Sequence, residues 1–164
     1  MSHPLWYTRR MKIKNEMNKT EVLKPIFDLD GTLIVENRES TRLFDFNNSA
    51  AILNLKESDL THLGVLVRDS GKQFDILTAR GKSNARFVRV ALTNLGFNVR
   101  DIICVGIDID TPEDMDKVSA DDVAEKKQSF IRKIMRKLVD NDPRNGADLP
   151  EGLFELVTQD QTEF

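Results

Sequence analysis

The feature that most constrains this chain is a rhythm. Short apolar runs end in polar residues, and amphipathic stretches separate them. Pro25–Asp30 (PIFDLD), Phe74–Thr78 (FDILT), Asp101–Ile107 (DIICVGI), Lys137–Asp140 (KLVD) and Leu153–Val157 (LFELV) read as five strands. Between them, Leu60, Leu63, Gly64 and Val67 fall at helical spacing within 59–70, with Ser58 as the expected N-cap and Gly71 as a stop. Phe87, Val88, Ala91, Leu92 and Leu95 share one face within 84–95, which Gly96 ends. Ser119, followed three residues later by Asp122, opens a helix running to about Lys137. Strands alternating with helices predict an α/β fold: a Rossmann-like three-layer sandwich around a parallel sheet of about five strands. Ligands bind such sheets beyond the carboxyl ends of the strands. Those ends carry Asp28 and Asp30, Thr78, Asp108 and Asp110, and Asp140 and Asp142.

Composition narrows the setting. The 164 residues suffice for one domain, and the formal net charge of −3 argues against a protein coated for nucleic acid. No apolar run approaches the roughly 20 residues that span a bilayer, so no membrane role is expected. Cys104 is the single cysteine; it lies in an apolar run, reads as a small core residue, and suits a reducing cytoplasm. Residues 1–23 are rich in Lys, Arg and Asn without sustained period and are expected to be a flexible extension, or a basic arm toward nucleic acid. Residues 24–164 form the expected domain.

The sharpest chemical signal is Ile26-Phe27-Asp28-Leu29-Asp30-Gly31-Thr32-Leu33. Two carboxylates two residues apart at a strand end can point into the same space. Held that close, both resist ionising unless a cation neutralises them, and hard oxygen donors suit Mg2+. One Asp can then attack phosphorus while the other moves a proton. Gly31 permits a tight turn that brings backbone N–H groups toward a phosphate. The alternative is a plain Asp-Gly turn at a strand end.

FDLDGTL resembles the first signature of the haloacid dehalogenase-type hydrolases, most of which are phosphatases. Ile76-Leu77-Thr78-Ala79-Arg80-Gly81 resembles the second, and Leu138-Val139-Asp140-Asn141-Asp142 the fourth. The resemblance implies Asp28 as nucleophile and metal ligand, and Asp30 as general acid then base, with its carbonyl also at the metal. It implies Thr78 on the phosphoryl oxygen, Asp140 at the Mg2+, and Gly31, Thr32, Ala79 and Arg80 around the substrate. Asn141 stands where many relatives have a second Asp, so Asn141 or Asp142 is left to join Asp140.

The third signature is a lone Lys, and Lys126 and Lys127 both offer themselves. At ~100° per residue, Val123, Phe130, Ile131, Ile134 and Leu138 make one apolar face, with Lys127 near its middle and Lys126 at its edge. A Lys in a buried stripe needs a negative partner, which favours Lys127; outward snorkelling of both is the alternative. Residues 34–57 leave room only for a short cap insert. The small architecture resembles phage and polynucleotide phosphatases, implying an open site or one roofed by a second copy in a homo-oligomer. The leading expectation is therefore a Mg2+-dependent phosphomonoesterase acting on a nucleotide or a phosphorylated nucleic-acid end; Arg80, Lys82 and Arg86 either greet the polyanion or form the exposed face of the following helix. A sugar-phosphate phosphatase and a catalytically silent binding module are the alternatives.

Overall fold

The computed structural model describes residues 21–36 and 49–164. Among them, five strands form one sheet: β1 (Val22–Phe27), β2 (Gln73–Thr78), β3 (Val99–Cys104), β4 (Leu138–Asp140) and β5 (Phe154–Leu156). The order is β3-β2-β1-β4-β5, and every neighbouring pair is parallel. Three α-helices cover it: α1 (His62–Asp69), α2 (Ala85–Asn94) and α3 (Ala120–Ile134). This is the α/β sandwich expected from the alternation.

Strand parity sorts the core into two layers. Phe27, Phe74, Ile76 and Val139 point to the side where Val67 of α1 and Val88, Ala91 and Leu92 of α2 pack. Ile26, Leu77 and Leu138 point to the other side, against Ile131, Phe130 and Ile134 of α3. The same parity places Asp28, two after Ile26, and Asp140, two after Leu138, on the α3 side.

Several expected boundaries move. β1 begins at Val22, so residues 22 and 23 belong to the sheet rather than to the extension, whose residues 1–20 lie outside the described chain. The helix expected over 59–70 starts at His62, and its cap is Thr61, not Ser58. The Thr61 hydroxyl accepts from Gly64 N at 2.9 Å and donates to the carbonyl of Thr32 at 2.6 Å. The cap thus ties α1 to the turn after β1, an advantage Ser58 lacks. α3 ends at Ile134, three residues early, because Met135 turns left-handed at φ 54°. Its N-cap is Ser119 as expected, accepting from Asp122 N. Of the expected cap insert, residues 37–48 lie outside the described chain. Of the rest, Ser49–Asn54 forms a 3-10 turn that buries Ile52, and Leu55 is buried beside it.

At the amino end of the sheet, Asp75 of β2 is buried and accepts from three directions. Arg100 donates to both its oxygens, Arg136 donates at 2.7 Å, and Asp101 N at 3.0 Å. Arg136 also donates to the carbonyls of Leu23 and Lys24. One carboxylate therefore pins β1, β2, β3 and the turn before β4, well removed from the opposite edge. Burial alone would raise its pKa, but the two guanidinium groups and the amide outweigh that and hold it below the usual carboxylate range.

Candidate active site

The carboxyl ends of β1 and β4 and the buried face of α3 meet around one ammonium group. Lys127 is 1% exposed, and its Nζ donates to Asp28 Oδ1 and Asp140 Oδ2, both at 2.8 Å. Lys126 is exposed, so the helical phase chooses between the two lysines as expected. Burial by itself would lower the ammonium's pKa; the charges of Asp28 and Asp140 outweigh it and hold Lys127 above the ordinary lysine value. Burial pushes the Asp28 carboxyl up to about 7, with the nearby Asp140 charge adding to the rise and Lys127 opposing it.

Each carboxylate is oriented by further donors. Thr32 Oγ1 donates to Asp28 Oδ2 at 3.0 Å. Asn145 Nδ2 donates to Asp140 Oδ2 at 2.9 Å, and Asp142 N to Asp140 Oδ1 at 2.9 Å. Asn145, 6% exposed, gave no sequence signal beyond its place in an Asn-Gly turn. Asp142 caps the Pro143–Gly146 turn and forms an ion pair with Arg144, so its carboxylate is spent locally.

The turn after β1 is used differently from expectation. Gly31 has φ +82°, and an added Cβ there would strike the Asn141 amide, so only glycine fits. Its N–H, however, donates to Ile34 O at 2.8 Å, and that of Thr32 to Leu29 O at 3.2 Å. Both donors expected at the phosphate are spent inside the turn, and Thr32 serves the Asp28 carboxylate instead. Thr78, 1% exposed, ends β2, and its hydroxyl accepts from Arg80 N at 3.2 Å. Arg80 is 6% exposed rather than on a rim. It grips both oxygens of Asp30, Nε–Oδ2 at 2.8 Å and Nη2–Oδ1 at 2.9 Å, and Nη1 donates to Asn84 Oδ1. Lys82 is exposed, and Arg86 lies over the Phe87 ring at 4.6 Å. The three cations therefore do not assemble into a basic rim.

Asp28, Asp30, Arg80, Lys127, Asp140 and Asn145 line a cavity of about 440 Å3, with Ala79, Val118, Val123 and Glu36 contributing to its walls. Among the described residues, no cluster of three or more His, Cys, Asp or Glu side chains is arranged to hold a metal. A hard-oxygen set exists nonetheless. One end of the Asn141 amide sits 2.9 Å from Asp28 Oδ2 and 3.2 Å from Asp30 O. With its nitrogen there, the amide donates to both. With its oxygen there, that oxygen lies from both Asp28 Oδ2 and Asp30 O at about the 3 Å spacing of neighbouring ligands in a Mg2+ octahedron of 2.0–2.1 Å bonds. The donor set fits Mg2+. Asn141 is one of the two residues expected beside Asp140; Asp140 Oδ2 accepts from Lys127 and Asn145, and its Oδ1 from Asp142 N.

Elsewhere, Cys104 is half-buried, and burial pushes its thiol up to about 11, away from a reactive thiolate. Asp108, exposed in the loop after β3, accepts from Ser83 N and Oγ. No helix among the described residues is long and apolar enough to cross a membrane. Comparison with protein-family models, curated proteins and solved structures finds no match to the chain.

Proposed function

We propose that the chain is a Mg2+-dependent phosphomonoester hydrolase that carries the phosphoryl group on Asp28. The observation supporting this most strongly is the buried Asp28–Lys127–Asp140 triad. A lysine enclosed at 1% exposure between two carboxylates at a strand edge has little structural rationale but suits a dianionic ligand. The resemblance of FDLDGTL to phosphatase signatures points the same way.

Asp28 Oδ2, Asp30 O and Asn141 Oδ1 would hold the Mg2+, which supplies charge neutralisation between the carboxylates and the phosphate. An Asp28 oxygen attacks phosphorus, and the ester P–O bond breaks. The departing oxygen takes a proton from Asp30 and leaves as an alcohol. Water then attacks the aspartyl-phosphate, giving its proton to Asp30 while the Asp28 O–P bond breaks, and inorganic phosphate departs. Lys127 neutralises the equatorial charge, and Thr78, whose hydroxyl already accepts from Arg80 N–H, keeps its own hydrogen to donate to a phosphoryl oxygen. Arg80 holds both Asp30 oxygens, so in both steps the proton moves through a lone pair that the guanidinium leaves open.

The sequence suggested a nucleotide or nucleic-acid end. A cavity of about 440 Å3 suits a molecule of metabolite or single-nucleotide size. The burial of Arg80 and the placement of Lys82 and Arg86 outside the cavity lining favour the smaller substrate. The test is phosphate release from p-nitrophenyl phosphate with Mg2+, after chelation, and after Mg2+ is restored. Acid-quenched protein should carry phosphate on Asp28 by peptide mass mapping. Full turnover in chelator, or phosphate trapped on another residue, overturns the reading.

A further inference from the structure

We infer that Asn84 is a positioning residue for the acid step: it holds the Arg80 guanidinium in the plane from which Arg80 fixes the Asp30 carboxylate; the inference rests on the phosphatase reading above. Asn84 stands at the N-cap of α2, where an Asn side chain ordinarily accepts from the first free amides of the helix. Here it makes no such bond, and no acidic residue in the first turn stands in for it. Its Oδ1 instead accepts from Arg80 Nη1 at 3.2 Å. A residue well suited to capping is thus withdrawn from the helix and given to Arg80. Asn84 lies outside the cavity lining, so it acts through Arg80 rather than on a substrate.

The guanidinium is planar and rigid, and each of its nitrogens donates. Nε and Nη2 bond the two Asp30 oxygens, and Nη1 bonds Asn84. Two bonds to one carboxylate leave the pair free to tilt together; the third, to another residue, ties the plane to the start of α2. The Arg80 and Asp30 side chains are only 7% and 10% exposed, so few waters compete for these bonds. The loop carrying Asn84 is itself held from the β3 side. Asp108 Oδ1 accepts from Ser83 N at 2.9 Å and from Ser83 Oγ at 2.7 Å. Gly106 N donates to Arg80 O at 3.2 Å, and Gly81 passes so close to Asp108 that an added Cβ would strike it. Asp108, Ser83, Asn84 and Arg80 therefore form a brace that starts on the loop after β3 and ends at the Asp30 carboxylate.

The experiment compares kcat/KM for benzyl phosphate and p-nitrophenyl phosphate with Mg2+, in the full chain. Benzyl alcohol is a poor leaving group and needs the Asp30 proton as the ester bond breaks, whereas p-nitrophenolate departs as the anion. kcat/KM covers the steps up to that departure and excludes hydrolysis of the aspartyl-phosphate, which both substrates share. A well-placed acid contributes about 10²–10⁴-fold, so Asn84→Ala, which lets the carboxylate tilt, should lower the benzyl-to-nitrophenyl ratio roughly tenfold. A merely structural loss lowers both substrates alike and leaves the ratio where it was. Because the side chain does not cap α2, Asn84→Ala should melt within about 2 °C of wild type. Asn84→Asp, which keeps an acceptor facing the guanidinium, should hold the ratio near that of wild type. Asp108→Ala, at an exposed position, should shift the ratio in the same direction by less. A ratio indifferent to Asn84→Ala, or one that Asn84→Asp lowers as far, overturns the inference and leaves the phosphatase reading standing. No hydrolysis of either ester by wild type overturns both.

Discussion

Replacing Lys127 by Met separates the site's structural and chemical demands. At 2.8 Å and an effective dielectric near 20, each of its two ion pairs has a Coulomb attraction of about 6 kcal/mol. Desolvation of three buried charges returns most of that, and breaking such a pair by deleting one partner costs about 3–5 kcal/mol. Met fills the aliphatic volume, so the loss reflects charge rather than a cavity. Against a typical stability of about 5–15 kcal/mol, Lys127→Met should remain folded in the cold while melting well below wild type. Turnover at 15 °C, normalised to folded protein by circular dichroism, should fall roughly 10²–10³-fold, as for other single electrostatic donors. Lys126→Ala, one residue away and exposed, should change stability by less than about 0.5 kcal/mol and leave turnover intact. A Lys127→Met protein that melts like wild type, or a Lys126 variant that loses the activity instead, refutes the reasoning.

Three further outcomes follow from the same contacts. Asp28 takes up a proton more readily in the fold, near pH 7, than as an ordinary carboxyl, so stability is withdrawn as pH rises from about 4 through 7. In metal-free buffer, Asp28→Asn should therefore melt no lower than wild type at pH 8, and lose this advantage at pH 4; a variant less stable at pH 8 contradicts the sign. Asn141→Ala should weaken Mg2+ binding by tenfold or more in calorimetric titration, on the order of what losing a metal-site partner costs, whereas unchanged affinity would return the third ligand to Asp140. Asp75→Asn should lower stability by about 2–4 kcal/mol in urea melts while kcat in the cold stays unchanged, since the carboxylate pins the amino edge of the sheet. Because its pKa is held low, its contribution is present above the usual carboxylate range and lost as pH falls through the lowered value, so wild type and variant should converge in acid.

What the sequence made legible was whatever depends on period. The apolar runs located all five strands of the described sheet, and the 100° turn per residue chose Lys127 over Lys126 because a helix buries one stripe. Features that depend on which hydrogen bond wins were not legible. Ser58 and Thr61 are both good caps by type, but Ser58 is taken into the Glu57–Asp59 3-10 turn while Thr61 is anchored on the Thr32 carbonyl. Arg80 looked like a rim cation, since nothing in a linear reading shows that its guanidinium reaches across to Asp30, fifty residues earlier. Asp140 and Asn141 are adjacent, and strand alternation sends the first toward α3 and Lys127 and the second toward the β1 turn. The resemblance implied a metal at Asp140 with Asn141 or Asp142 beside it; in the structure the Asn141 amide lies beside Asp28 Oδ2 and the Asp30 carbonyl.

The separate placement of Asp140 and Asn141 links the triad to the rest of the site. An Asp at 140 turned to the metal would leave Lys127 with Asp28 alone, and the ammonium would then hold the nucleophile more tightly. Because Asp140 shares the ammonium, and Asn145 and Asp142 N fix Asp140 in that role, Lys127 is suspended between two carboxylates at equal 2.8 Å distances. Asp28 can then turn toward phosphorus without leaving a buried ammonium unpaired. On the proposed Mg2+ reading, the neutral amide of Asn141 would contribute a hard oxygen without adding another like charge beside Asp28, whose carboxyl pKa burial has already raised. On this account the acid and the amide are not interchangeable. Asn at 140 would strand Lys127 with one partner, and Asp at 141 would add repulsion that only a bound cation relieves.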